Sequence, residues 1–142
     1  MFVLGTEHVH CVVWTADAPT SGASREEVLG YIDEHVTARM PSAQDEPELY
    51  DLVNRLQRHY STHTSTCKRT VKYRGKKTSL CRFEFPRPAK AQTSINEMAS
   101  LVRGFPGARK RPYSLARQSG DEQWINDYNP AIILAWKGNI DL

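Results

Sequence analysis

The sequence predicts an α+β domain in which an antiparallel sheet is flanked by two or three helices. Three observations predict it. A short run of β-forming residues lies at 8–15, with Val9, Val12, Val13 and Trp14. Helix-start signals occur before 25–34 and before 46–60, the second followed by apolar residues at helical spacing. Further short apolar runs, cut by prolines, follow from position 81. The chain has 142 residues, 39% hydrophobic and 25% charged, which suits one domain with a modest core.

The elements follow in order. Residues 8–15 read as a buried strand, and "DAPTSG" (17–22) as a loop. Ser24 with Glu27 three residues on is a capping box, which starts a helix over 25–34. "HVTARMP" (35–41) reads as a short strand closed by Pro41. Pro47 then sits among Asp45, Glu46 and Glu48. Leu49, Leu52, Val53 and Leu56 recur at helical spacing, so a helix is expected over 46–60. The polar, basic stretch 61–80 reads as an irregular loop. "CRFEFPRP" (81–88) starts as a strand and is stopped by its prolines. A short helix over 94–103, a strand over 113–117 and a turn at "SGD" come next. Asn129-Pro130 caps a last helix over 131–136, and Gly138 ends it. Trp14, Trp124 and Trp136 read as core, with the walls of a DNA groove as the other use for them.

Charge is unevenly spread. Residues 1–57 hold three Lys or Arg against ten Asp or Glu, whereas 58–117 hold fifteen against two. A central block this basic is the electrostatic footprint of nucleic-acid contact, although a solvated basic loop would look the same. No apolar stretch approaches the roughly 20 residues of a membrane span, and the start lacks the basic region of a signal peptide. Three cysteines without secretory context favour metal ligation over a disulfide scaffold.

Two groups carry metal-like spacing. His8 and His10, one residue apart on the expected strand, would share a face and can chelate a divalent ion that polarises a phosphate oxygen. The plain alternative is a pair of hydrogen-bonded or half-exposed histidines. Asp141 is a candidate third ligand if "NIDL" pairs beside 8–13; otherwise it is an exposed strand-end carboxylate. The second group is H-x3-H-x3-C-x13-C: His59, His63, Cys67 and Cys81. Two His and two Cys suit a closed, structural zinc site, which would pin the 59–81 loop. That loop brings Lys68, Arg69, Lys72, Arg74, Lys76 and Lys77, with Arg82 just beyond, as candidate DNA-phosphate contacts. Tyr73 can stack on a base or merely pack. The chain contains no phosphate loop, H-E-x-x-H or G-x-S-x-G, and Val12 and Val13 interrupt any H-x-H-x-D-H site.

In order along the chain, five segments resemble the Helitron helicase-like domain, the replication-initiator part of Helitron rolling-circle transposases. They are "GTEHVHCVVW", "YIDEHVTARMP" with "PELYDLVNRLQRH", "HTSTCKR", "CRFEFPRP" and "NDYNPAIILAWKGNIDL". The resemblance implies a partial HUH endonuclease fold, with His8, Val9 and His10 as the HUH motif holding Mg²⁺ or Mn²⁺. It further implies single-stranded DNA as partner, nicked and rejoined through a tyrosine on a later helix, a helicase domain in cis, and nuclear localisation. No tyrosine pair of the form Y-x-x-x-Y occurs among Tyr31, Tyr50, Tyr60, Tyr73, Tyr113 and Tyr128. The nucleophile is therefore expected beyond Leu142, and the chain reads as a truncated domain or degenerate copy that does not cleave unaided. A non-catalytic, zinc-stabilised nucleic-acid-binding module and an inactive relic are the alternatives.

Overall fold

The computed structural model describes residues 10–73, 75–96, 111–118, 120–140 and 142. Their architecture is mixed: helices, and two small antiparallel sheets of two strands each.

Helix α1 spans Arg25–His35, and its capping box is formed as the sequence predicts. The Ser24 hydroxyl accepts from the Glu27 N–H (3.2 Å), and the Glu27 carboxylate accepts from the Ser24 N–H (2.7 Å). A cap of this kind stabilises a helix by about 1 kcal/mol, and it matters here because α1 has no fully buried residue. Helix α2 spans Pro47–Leu52 and widens directly into a π turn over Val53–Gln57. The helix expected over 46–60 therefore stops short. Arg58 already bridges Ile125 in extended form, so His59 lies beyond the helical segment.

The stretch 61–80 is not the irregular loop that its polarity suggests. Lys68–Tyr73 (β1) and Lys76–Cys81 (β2) form an antiparallel hairpin with Lys68 opposite Cys81 and Tyr73 opposite Lys76. Thr70, Val71 and Thr78 supply the β-branched residues, and Gly75 takes the left-handed φ of +79° in the connection. The strand predicted over 81–88 ends at Cys81. The helix predicted over 94–103 is replaced at its start by β3 (Ser94–Ile95), which pairs with β4 (Tyr113–Ser114); its remainder, from 97 on, lies outside the described residues. The strand predicted over 113–117 survives as β4 and a single bridge from Arg117 to Lys90, and the one over 35–41 as a bridge from Thr37 to Tyr128. The expected turn at "SGD" runs into a 3₁₀ turn over Asp121–Trp124, which begins at its aspartate.

The last helix, α3, spans Pro130–Trp136, with the Asn129 side chain accepting from the Ile132 N–H at 2.9 Å. It packs on α2. Leu49, Leu52, Val53, Ile125, Tyr128 and Ile133 form the core. Each such apolar side chain taken from water contributes about 1.5–3 kcal/mol before entropy is subtracted. Residues 10–15 are the main departure from the expected strand. They form none, and Val12, Val13 and Trp14 stand 74%, 67% and 84% exposed. No described element packs over these apolar side chains, so the pattern that suggested burial has nothing to be buried against. Trp136, also expected in the core, is 58% exposed.

Candidate metal centre

Four predicted ligands converge at the base of the hairpin. The core positions His59. The Asn126 N–H donates to the Gln57 carbonyl (2.8 Å), and the His59 N–H donates to the Trp124 carbonyl (2.8 Å). The chain then turns sharply. The His63 N–H donates to the Tyr60 carbonyl at 3.1 Å, and His63 itself adopts a left-handed φ of +48°. Cys67, buried, donates its N–H to the Thr64 carbonyl, and its own carbonyl accepts from Arg82 across the hairpin base (2.7 Å). Cys81 closes β2. His59 and His63 thus meet through a turn, not along one helix face as their four-residue spacing suggests.

Each side chain offers one donor atom, and all four atoms lie within 4.8 Å of one another, an arrangement that can hold a metal ion. His59 Nε2 is 3.2 Å from His63 Nδ1; Cys67 Sγ is 3.4 Å from His63 Nδ1; Cys81 Sγ is 3.6 Å from His59 Nε2. The surroundings fit ligand chemistry. The Thr64 N–H points at Cys67 Sγ (3.2 Å), an outer-shell contact that fixes where the sulfur sits. The His59 ring stacks on Phe85 at 4.7 Å, with Trp124 further out. Burial, and then the charges of His63 and Arg87, hold the His59 imidazole below its usual pKa, so it favours the neutral form that binds metals.

The hairpin above the cluster carries the predicted cations. Alternation along the paired strands puts Lys68, Lys72 and Lys77 on one face with Cys81, while Arg69 and Lys76 take the other. Lys72 pairs directly with Lys77, a like-charge juxtaposition that weakens a sheet unless an anion intervenes. Lys68, Lys72, Lys76, Lys77 and Arg82 are exposed, and among the described residues none of the four lysines has an ion-pair partner. Arg82 lies over the Phe83 ring at 4.6 Å. Arg74 and the side chain of Tyr73 are outside what is described.

The other predicted site fares differently. His10 is exposed and, among the described residues, lies in no strand. His8 and Asp141 lie outside the described residues.

Two groupings escaped the sequence reading. Asp17, Glu34 and His35 bring three donors together on the surface, with His35 Nε2 3.4 Å from Asp17. Inside, Arg87 and Arg117 both donate to Oδ1 of Asp127, while Arg111 reaches Oδ2 at 3.2 Å. The partners lie far apart in the chain, so no local spacing could have revealed them. No protein-family model, curated protein or solved structure matches the chain.

Proposed function

We propose that this chain is a zinc-stabilised nucleic-acid-binding module that grips a phosphate backbone with the Lys68–Cys81 hairpin. One observation carries the reading. Zinc–nitrogen and zinc–sulfur bonds of about 2.0–2.1 and 2.3 Å, set tetrahedrally, require edges of roughly 3.3 Å between nitrogens and 3.6 Å between nitrogen and sulfur. The cluster has 3.2 Å for the first, and 3.4 and 3.6 Å for the second. His59, His63, Cys67 and Cys81 would hold the ion, which supplies folding energy by tying the hairpin base to the core and leaves no open position for chemistry.

The lysine face makes the contact. Lys68, Lys72 and Lys77 would each neutralise a phosphate, and the repulsion between Lys72 and Lys77 turns into attraction for the anion between them. The Helitron-like segments favour single-stranded DNA as the partner and a transposase parent as its context. Strand nicking forms no part of the reading.

The test is a salt titration of labelled oligothymidylate binding. The wild type should show affinity that falls steeply with salt. Changing Lys68, Lys72 and Lys77 to Gln should lower the log–log slope by about 2, at roughly 0.7 per lost single-strand phosphate contact. An unchanged slope removes the hairpin from the interface.

A further inference from the structure

The lysine face has a pair of hydroxyls at its centre. Thr70 and Ser79 stand directly opposite each other in the hairpin register, on the same side as Lys68, Lys72 and Lys77. Both are exposed, and among the described residues neither hydroxyl has a hydrogen-bond partner. Lys77 lies two residues before Ser79 on its own strand. Lys68 and Lys72 are its diagonal neighbours across the ladder, about 7–8 Å away and within reach of a long side chain. Neither strand carries an acid.

The sequence around Ser79 has a second property. Lys76 and Lys77 stand three and two positions before it, and Leu80 follows it. Two cations upstream of a hydroxyl and an apolar residue just after it suit a serine kinase with an acidic substrate groove, where carboxylates meet the cations. Thr70 lacks this pattern, since Cys67 stands three positions before it. β2 also has the shape that such a groove takes. It is extended, and its sheet has two strands only, so the edge away from β1 has no partner strand.

We infer that Ser79 is a phosphorylation site that switches the lysine face off. The consequence rests on the proposed binding role, whereas the acceptor chemistry rests on the hairpin alone. In the step, Ser79 Oγ bonds to the γ-phosphorus of ATP as the bond from that phosphorus to the β,γ-bridging oxygen breaks. ADP leaves, and the hydroxyl proton passes to a carboxylate of the kinase. The phosphoserine brings a charge of about −2 in among the three lysines. It pairs with cations that would otherwise meet the nucleic-acid backbone. It also relieves the repulsion between Lys72 and Lys77, so the modified hairpin is firmer while it binds less.

Two arms separate the claims. In the first, the zinc-loaded protein is incubated with ATP, Mg²⁺ and the catalytic subunit of cyclic-AMP-dependent protein kinase, and the phosphate is located by mass spectrometry. Stoichiometric phosphate at Ser79 is expected, and none in Ser79→Ala. No incorporation, or phosphate on Thr70 or Thr78 alone, overturns the site. In the second arm, protein carrying phosphoserine at position 79, installed by amber suppression, enters the oligothymidylate salt titration. Its log–log slope should be lower by about 1.4, two lost contacts at roughly 0.7 each, with zinc content unchanged and a higher melting temperature. A phosphoprotein that keeps the unmodified slope, while the lysine variant lowers it, overturns the switch and leaves the hairpin role standing. A slope that falls together with zinc content and melting temperature also overturns it, because the phosphate has then broken the hairpin instead of covering its cations. If the lysine variant leaves the slope unchanged as well, the binding role has failed and the switch falls with it.

Discussion

Arg117 and Asp127 form a hydrogen-bonded ion pair in the interior, their side chains only 3% and 5% exposed. Arg117 also donates to the carbonyls of Glu122 (2.8 Å) and Ile125 (2.7 Å). Burial works against the guanidinium's charge, and Asp127 works for it. A pair this dry is not a large net source of stability, but breaking it strands a charge.

Asp127→Asn should therefore cost about 3–5 kcal/mol, since it leaves Arg87 and Arg117 facing each other without their shared carboxylate. Urea denaturation of the zinc-loaded protein measures this. A loss under 1 kcal/mol would show that solvent reaches the cluster.

Metal removal should act on the hairpin first. The purified protein is expected to carry one zinc, and Cys67→Ser or Cys81→Ser should reduce it well below stoichiometry. A chelator should lower the melting temperature of the wild type and leave that of the Cys67→Ser variant nearly unchanged. Equal sensitivity of the two would place the ion elsewhere.

Stability at high pH should be limited by Tyr128. Burial pushes its hydroxyl up to about 12. Below pH 10 the tyrosine is neutral in both folded and unfolded chains, and its contribution is complete. Above that the unfolded chain ionises first, and about 3 kcal/mol is lost as pH rises towards 12. Tyr128→Phe forfeits the hydrogen bond to the Arg39 carbonyl (3.1 Å), a cost of about 1 kcal/mol near neutrality. It should nevertheless unfold at higher pH than the wild type, read by circular dichroism; coincident alkaline transitions would acquit the tyrosine.

Asn129 does two tasks, capping α3 and donating to the His35 carbonyl at the end of α1 (2.7 Å). Asn129→Asp keeps the cap and loses the donor, while Asn129→Ala loses both. The alanine variant should be destabilised by about 1–2 kcal/mol and the aspartate variant by about half as much. Identical losses would show that only the link between the helices matters.

Local signals were legible and tertiary ones were not. The Ser24 and Asn129 caps depend on neighbours three residues away, and both helix starts lie where those residues predict. The donor set His59, His63, Cys67 and Cys81 was legible as chemistry, because two His and two Cys within 23 residues match the ligand set of a tetrahedral metal. The path that unites them was not, since it runs through a π turn and a left-handed His63 that no propensity announces. The hairpin was hidden by its own lysines, whose polarity masks the alternation of Arg69, Val71 and Leu80 on the half-buried side. The opposite error befell 10–14, where apolar residues imply burial only if something covers them. Asp127 and Arg87 stand 40 positions apart, beyond the reach of any motif.

The π turn has a consequence for how this molecule can change over time. By ending α2 early, it hands His59, one of the four donors, to the chain around Trp124. The tip at Gly75 lies at the far end of the hairpin from all four donors. Apart from Gly75, whose left-handed φ favours glycine, that tip can therefore drift or be redesigned without touching the donors, like an interchangeable fingertip on a knuckle that stays the same.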